Sequence, residues 1–162
     1  MSDSKRILVT GAGGFIGGWV AEEFHLAKLG HIRAGVRNWG GAARLARSRL
    51  EIVPCDIMVP AQVERAVEGV HAVIHCAAGP PDVIVDGTRN VLEASKKAGV
   101  GKVVYLSTVS VYGDASGVVD ESRTLMMTGS EYGDSKIRAE MLCGEYVGRG
   151  VPSVTLRPAV VF

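Results

Sequence analysis

Residues 9–18 read "VTGAGGFIGG", and this stretch decides the fold. Just before it, "RILVT" (6–10) is a short apolar, β-branched run that stops at glycine, the pattern of a strand. Just after it, "GFIGGWVAEEFHLAKLG" (14–30) carries Phe15, Trp19, Val20, Phe24 and Ala27 at helical spacing, with Gly30 as a stop. Gly11, Gly14 and Gly17 are spaced by three. The pattern is GxxGxxG and not GxGxxG, because position 16 is Ile. Glycines in a strand-to-helix turn permit a tight bend and let the backbone approach a pyrophosphate. The helix N-terminus adds free N–H groups and the positive end of its dipole.

The alternation of strand and helix continues. "HIRAGV" (31–36) reads as a second strand and "GAARLARSRL" (41–50) as a short basic helix. "EIVPCD" (51–56) is a third strand, cut short by Pro54, and "PAQVERAVEG" (60–69) a helix with Pro at its start and Gly at its end. "HAVIHCAA" (71–78) is a fourth strand, "VIVDGTRNVLEASKKAG" (83–99) a helix and "KVVYLST" (102–108) a fifth strand. "GSEYGDSKIRAEMLCGEYVGRG" (129–150) is a helix and "VPSVTLRP" (151–158) a sixth strand. The strands are apolar on both faces, as buried parallel strands are. The expectation is an α/β fold with an open, doubly wound parallel sheet, one domain over residues 1–162. The chain stops at "AVVF" (159–162), an apolar end without a polar cap, which suggests a partial chain.

Composition narrows the class. The chain is 47% hydrophobic and 22% charged, as soluble globular domains are. A formal net charge of +1 gives no reason to expect nucleic acid or an anionic membrane as partner. No signal-peptide pattern opens the chain and no apolar run reaches membrane-spanning length. Cys55, Cys76 and Cys143 are odd in number, scattered and without CxxC spacing. They read as small buried hydrophobes in a reducing compartment and not as a disulfide framework or a metal site. A cytoplasmic protein without a metal is expected.

Single residues then suggest chemistry. A glycine loop in the first βα turn of an alternating chain points to dinucleotide binding. The end of the second strand meets the adenosine ribose in such folds, where an acid bonds the 2′-hydroxyl and an arginine accommodates a 2′-phosphate. Here "GVRN" (35–38) offers Arg37 and no acid, which places NADP(H) ahead of NAD(H). Asp56 either accepts a hydrogen bond from the adenine amino group or caps the turn that follows it. "LSTVSVYG" (106–113) brings Ser107, Thr108 and Ser110 to a strand end, the edge at which open α/β sheets bind ligands. In "SEYGDSKI" (130–137), Tyr132 and Lys136 stand four apart and share one helix face.

Taken together these stretches resemble the extended short-chain dehydrogenase/reductase superfamily, the NAD(P)-dependent epimerase/dehydratase group. "TGAGGFIG" (10–17) is similar to its nucleotide-binding motif, "HCAA" (75–78) to the segment beside the cofactor and "DGTRNVLEA" (86–94) to its GTxN helix. "YLSTVSVYG" (105–113), "YGDSK" (132–136) and "LRPAVVF" (156–162) resemble its later motifs. The resemblance implies an oxidoreductase or epimerase/dehydratase acting on a small molecule through a hydroxyl or carbonyl group. Tyr132 would be the general acid/base, Lys136 its charged neighbour and holder of the nicotinamide ribose, and Thr108 the hydrogen-bond partner of the substrate oxygen. A phenol ordinarily titrates near pH 10, and an ammonium beside it favours the phenolate. Gly11, Gly14, Phe15, Ile16, Gly17, Arg37, Asp56, Ile57, Cys76, Ala77 and Ala78 would hold the cofactor together with Lys136. A homodimer through the helices at 83–99 and 129–150 is implied as well, and a substrate-binding part beyond residue 162. Two departures stand out: Ile84 and Val85 occupy the region where many relatives carry asparagine, and "PP" (80–81) leads almost directly into the helix. They motivate the alternative of a non-catalytic NAD(P)-binding module.

Overall fold

The computed structural model describes residues 5–161. Six strands are present: β1 (Arg6–Thr10), β2 (His31–Val36), β3 (Glu51–Pro54), β4 (Ala72–His75), β5 (Lys102–Leu106) and β6 (Ser153–Leu156). Four α-helices connect them: α1 (Phe15–Leu26), α2 (Pro60–Val67), α3 (Pro81–Ala98) and α4 (Glu131–Gly148). The sheet order is β3-β2-β1-β4-β5-β6, and every neighbouring pair is parallel. Chain order therefore reverses between β1 and β4, which leaves a crevice beyond their carboxyl ends.

Alternate residues of each strand serve different layers, as the pleat requires. Leu8, Val73, Val103 and Tyr105 pack with Val63 and Val67 of α2, Val91 and Leu92 of α3, and Leu142 and Tyr146 of α4. Val9, Ile32, Ala34 and Val36 pack on the other face with Ala21 of α1 and Leu45. Arg33, whose register neighbour on β3 is Glu51, is buried in β2 and is no part of a basic surface. Its Nη1 donates to the carbonyls of Ala66 (2.8 Å) and Glu68 (2.9 Å), so it caps the end of α2, and its Nε donates to Glu51 (2.9 Å).

Two expectations need correction. Residues 41–50 are not an α-helix; a 3₁₀ segment runs over Trp39–Arg47. It opens on Asn38, whose side chain accepts from Gly41 N–H, and it is rich in Gly and Ala with one buried leucine, too little for a full α-turn ladder to organise around. On α1 the helical spacing holds, with Val20 and Phe24 packed partly against the core. Gly17, Gly18 and Ala21 are buried, whereas Phe15 (52%) and Trp19 (44%) are exposed and flank the Arg44 guanidinium. The helix ends earlier than Gly30, at Leu26, because Lys28 takes the left-handed conformation at φ 55°. A short 3₁₀ turn at Val109–Tyr112, unforeseen from the sequence, follows β5.

One buried polar chain ties β1, β4 and α3 together. His75, 1% exposed, lies between Thr10 Oγ1 at 2.7 Å from Nδ1 and Thr88 Oγ1 at 3.1 Å from Nε2. The Thr88 hydroxyl donates to the Ile84 carbonyl at 2.6 Å. Its proton is thus committed, so Thr88 accepts from His75 Nε2–H, and Thr10 donates to Nδ1. A neutral imidazole satisfies both contacts. Burial, with Lys136 nearby, holds the His75 pKa down at about 3.

The sign of the linkage follows. The folded imidazole stays neutral to about pH 3, while the unfolded one takes a proton near 6.5. This contribution is complete above pH 6.5 and is lost as pH falls from 6.5 towards 3, with a full size on the order of 5 kcal/mol. His75→Gln is therefore expected to have a flatter stability profile than the parent over that window, measured by urea unfolding at several pH values. Parallel profiles would refute the assignment.

Candidate functional site

The glycine turn builds the first wall of the site. Gly11 sits at φ +68°, and a Cβ there would lie 2.7 Å from Ala77 Cα. A Cβ on Gly17 would lie 2.3 Å from the Gly11 carbonyl oxygen. The turn after β1, the first turn of α1 and the segment after β4 are thus in backbone contact. Gly14 is the N-cap of α1; it supplies no side-chain cap, and the first turn carries no acid. The N–H groups and positive dipole end of α1 are left for a ligand.

These walls enclose a cleft of about 460 Å³ at the carboxyl edge of β1, β2, β3 and β4. Of the residues singled out from sequence, Gly11, Gly14, Arg37, Asp56, Ile57, Cys76, Ala77 and Ala78 line it. Phe15, Ile16 and Gly17 stand in the first turn of α1 and do not line it, and neither do Thr108, Tyr132 and Lys136. Arg37 follows β2 and is exposed. Asp56 forms the turn that its residue type suggests: Oδ1 accepts from Met58 N–H at 3.0 Å, while the residue also faces the cleft. Asn90 of α3 donates to the Ile57 carbonyl at 2.8 Å, and a Cβ on Gly87 would meet Ile57 Cδ1 at 2.4 Å. The GTxN stretch accordingly holds the wall after β3 in place. Volume, glycine cradle, uncapped helix end and one arginine together fit a dinucleotide with its phosphates.

Sequence reasoning missed Gly13, Asn38, Gly41, Cys55 and Val83, which also line the cleft. Gly13 and Gly41 touch: a Cβ on Gly13 would lie 2.9 Å from the Gly41 carbonyl oxygen. It missed Thr10, His75 and Thr88 too; a lone polar residue in an apolar strand is the only signal of the first two, and Thr88 lies in α3. Ile84 is buried in the core and Val83 reaches the cleft instead, so this departure from the asparagine pattern lies away from the wall. Val91, Leu92 and Leu142 are core residues, and Met141 is 65% exposed. All three cysteines are free; burial pushes Cys55 up to about 12 and Cys76 up to about 11.

A second group of residues gathers at the end of β5. Lys136 is 3% exposed, and its Nζ donates to the Leu106 carbonyl at 2.8 Å. The ammonium stands 4.9 Å from the Tyr105 ring centroid and 6.0 Å from that of Tyr132. Burial lowers the Lys136 pKa to about 8, against opposing pulls from Cys76, Glu140 and Cys143. Tyr132, one turn earlier, is 45% exposed. Thr108, two residues beyond Leu106, caps the 3₁₀ turn by accepting from Ser110 N–H at 3.2 Å. Gly133, beside Tyr132, packs so closely that a Cβ would lie 3.3 Å from the Ser110 carbonyl oxygen. The first turn of α4 and the turn capped by Thr108 are therefore neighbours. Ser130 caps α4, and Asp134 accepts from Thr128 N–H at 2.6 Å, which anchors the loop leading into the helix.

Comparison with known proteins gives the chain its relatives. The NAD dependent epimerase/dehydratase family model matches residues 7–162. A cinnamoyl-CoA reductase of Oryza sativa subsp. japonica is 31% identical over 96% of this chain and 55% of its own. An uncharacterised UDP-glucose epimerase of Bacillus subtilis is 30% identical over 97% of this chain and 57% of its own. Among solved structures, a UDP-glucuronic acid 4-epimerase from Bacillus cereus in complex with NAD superposes with a TM-score of 0.85 at 29% identity, over 97% of this chain and 56% of that one. The chain spans about half the length of the curated relatives it matches.

Gly17→Ala is expected to push α1 off the Gly11 carbonyl and to weaken binding of NADPH or NADH at least about tenfold, which is about 1.4 kcal/mol. Calorimetric titration of a variant that still unfolds cooperatively measures it. Unchanged affinity would show that the turn does not carry the ligand.

Proposed function

The chain belongs to the NAD dependent epimerase/dehydratase family, and from that premise we propose that it serves an NAD(P)-dependent oxidoreductase or epimerase/dehydratase that acts on a hydroxyl or ketone group of a small molecule. The observation that carries the reading is the buried Lys136 ammonium beside Tyr132, next to the turn capped by Thr108 and adjoining a cleft of dinucleotide size. When bound, the nicotinamide group supplies hydride exchange with the substrate carbon. Tyr132 exchanges the matching proton at the substrate oxygen, giving it in reduction and taking it in oxidation. Thr108 orients that oxygen. Lys136, held by Leu106 and Tyr105, stabilises the negative charge that develops on the Tyr132 oxygen during transfer, and desolvation strengthens its effect. Asp56 and Ile57 hold the adenine end, and Cys76, Ala77 and Ala78 the face opposite the glycine turn.

The same proposal puts NADP(H) ahead of NAD(H). Arg37 reaches the cleft from the end of β2, where no acid stands in the sequence, and a planar guanidinium suits a 2′-phosphate. It extends to a cytoplasmic homodimer, paired through the outer faces of α3 and α4, where Arg89, Glu93, Arg138 and Met141 are exposed.

Two outcomes test this. NADPH is expected to bind more tightly than NADH, and Arg37→Asp to weaken NADPH at least about tenfold while NADH changes less. Tighter NADH binding in the parent would overturn the preference. Tyr132→Phe is expected to lower carbonyl reduction by about a hundredfold or more, followed at the nicotinamide absorbance with a panel of aldehydes and ketones, with cofactor affinity retained. Undiminished turnover would remove Tyr132 from the chemistry.

A further inference from the structure

Arg157, one residue past β6, uses its whole guanidinium. Nε donates to both oxygens of Glu140 at 3.2 Å, Nη2 donates to Glu140 Oε2 at 2.8 Å and Nη1 donates to the Tyr112 hydroxyl at 2.8 Å. The guanidinium also stands 5.0 Å from the centroid of the Tyr112 ring. The Glu140 side chain is only 8% exposed, so the pair is poorly screened by water.

Three elements meet at this one side chain. Arg157 follows β6, Glu140 belongs to α4 and Tyr112 closes the 3₁₀ turn that Thr108 caps. On α4, Tyr132, Lys136 and Glu140 repeat every four residues and form one stripe. We infer that Arg157 is a positioning residue for the Tyr132–Lys136 site: through Glu140 it sets how firmly Lys136 keeps its proton, and through Tyr112 it fixes the turn that carries Thr108. The catalytic meaning of this rests on the function proposed above; the electrostatic coupling does not.

The groups that face Lys136 are few. His75 and Cys76 come from the end of β4, Tyr105 from β5, and Tyr132, Glu140 and Cys143 from α4 itself. His75 is neutral in its threonine contacts, and burial keeps both thiols protonated, Cys76 at about 11 and Cys143 at about 12. Among these groups Glu140 is the acid: it stands one turn from Lys136 on α4 and is held by Arg157, while the Lys136 Nζ bonds the Leu106 carbonyl, so the carboxylate acts on the ammonium through space and Arg157 offsets it. Removing Arg157 leaves the carboxylate to Lys136 and makes the ammonium hold its proton more firmly. Removing the carboxylate takes a negative charge away from the neighbourhood of Lys136 and makes it hold its proton less firmly. General loss of packing produces no such opposition of sign.

The test is an NMR titration of the 162-residue chain with isotope-labelled lysine, the Lys136 signal being assigned by its absence in Lys136→Arg. The parent is expected to titrate near 8. Glu140→Gln is expected to lower that value by about one pH unit, and Arg157→Met to raise it. Arg157→Lys, which loses the bidentate fork but keeps a cation, is expected to raise it less and stands in for Arg157→Met should that variant not fold. Shifts of the same sign, or a Lys136 titration unmoved in Glu140→Gln and Arg157→Lys chains that still unfold cooperatively, would overturn the inference. The titration needs neither cofactor nor substrate. A chain that shows the opposed shifts but binds neither NADPH nor NADH would keep the coupling and reject the function.

Discussion

Backbone touches backbone at the end of β1, and the rest of the architecture is arranged around that contact. Gly11 leaves the strand in the left-handed conformation directly against Ala77, and Gly17 brings α1 down onto the Gly11 carbonyl. No side chain fits at either place. The helix can come this close only if its inner face is small, which is why Gly17, Gly18 and Ala21 are buried while Phe15 and Trp19 turn outward to Arg44. A cleft opens beside the contact because the sheet order changes direction between β1 and β4. The helix end that points into it is left uncapped by the same small residues. Close packing and an open anion site are two results of one constraint.

The second wall depends on a different force. The segment after β4 is held by neutral hydrogen bonds in a dry interior: Thr10 to His75, His75 to Thr88, Thr88 to the Ile84 carbonyl. Each hydroxyl both gives and accepts, so the chain is satisfied in one direction only. The wall after β3 is fixed from the same helix, by Asn90 on the Ile57 carbonyl and by Gly87 beneath the Ile57 side chain. One stretch of α3 thus sets two sides of the cleft without lining it.

Much of this was legible in the sequence. Apolar runs without polar alternation identified the six parallel strands, and glycine at the first βα turn located the cleft, because both signals are local. The boundaries erred where local pattern competes with tertiary contact. Residues 41–50 look helical, yet a 3₁₀ segment opened by Asn38 runs over 39–47, because little apolar surface is available to pull it into a regular helix. Helical spacing of large apolar residues does not say which face of α1 is buried, because close approach selects small ones. Thr10, His75 and Arg157 were illegible for another reason: Thr10 and His75 pair across 65 residues, His75 reaches Thr88 across 13, and Arg157 reaches Glu140 and Tyr112 across 17 and 45, and nothing in a neighbouring sequence window announces them.

Under the proposed function, Lys136 is where stability and use pull apart. Burial lowers its pKa from the 10.5 of a free lysine to about 8, so at neutral pH the fold holds an ammonium where water cannot solvate it. That costs about 3 kcal/mol, present in full below pH 8 and relieved only as pH rises from 8 towards 10.5. An apolar side chain of similar length would avoid the cost. The Leu106 carbonyl, the Tyr105 ring and the Glu140 carboxylate each return part of it, but packing alone gives no reason to place a charge there. A desolvated ammonium whose nearest exposed aromatic neighbour is Tyr132 makes physical sense where charge develops on the phenol oxygen, since the same dry surroundings that penalise the resting lysine strengthen its pull on that charge.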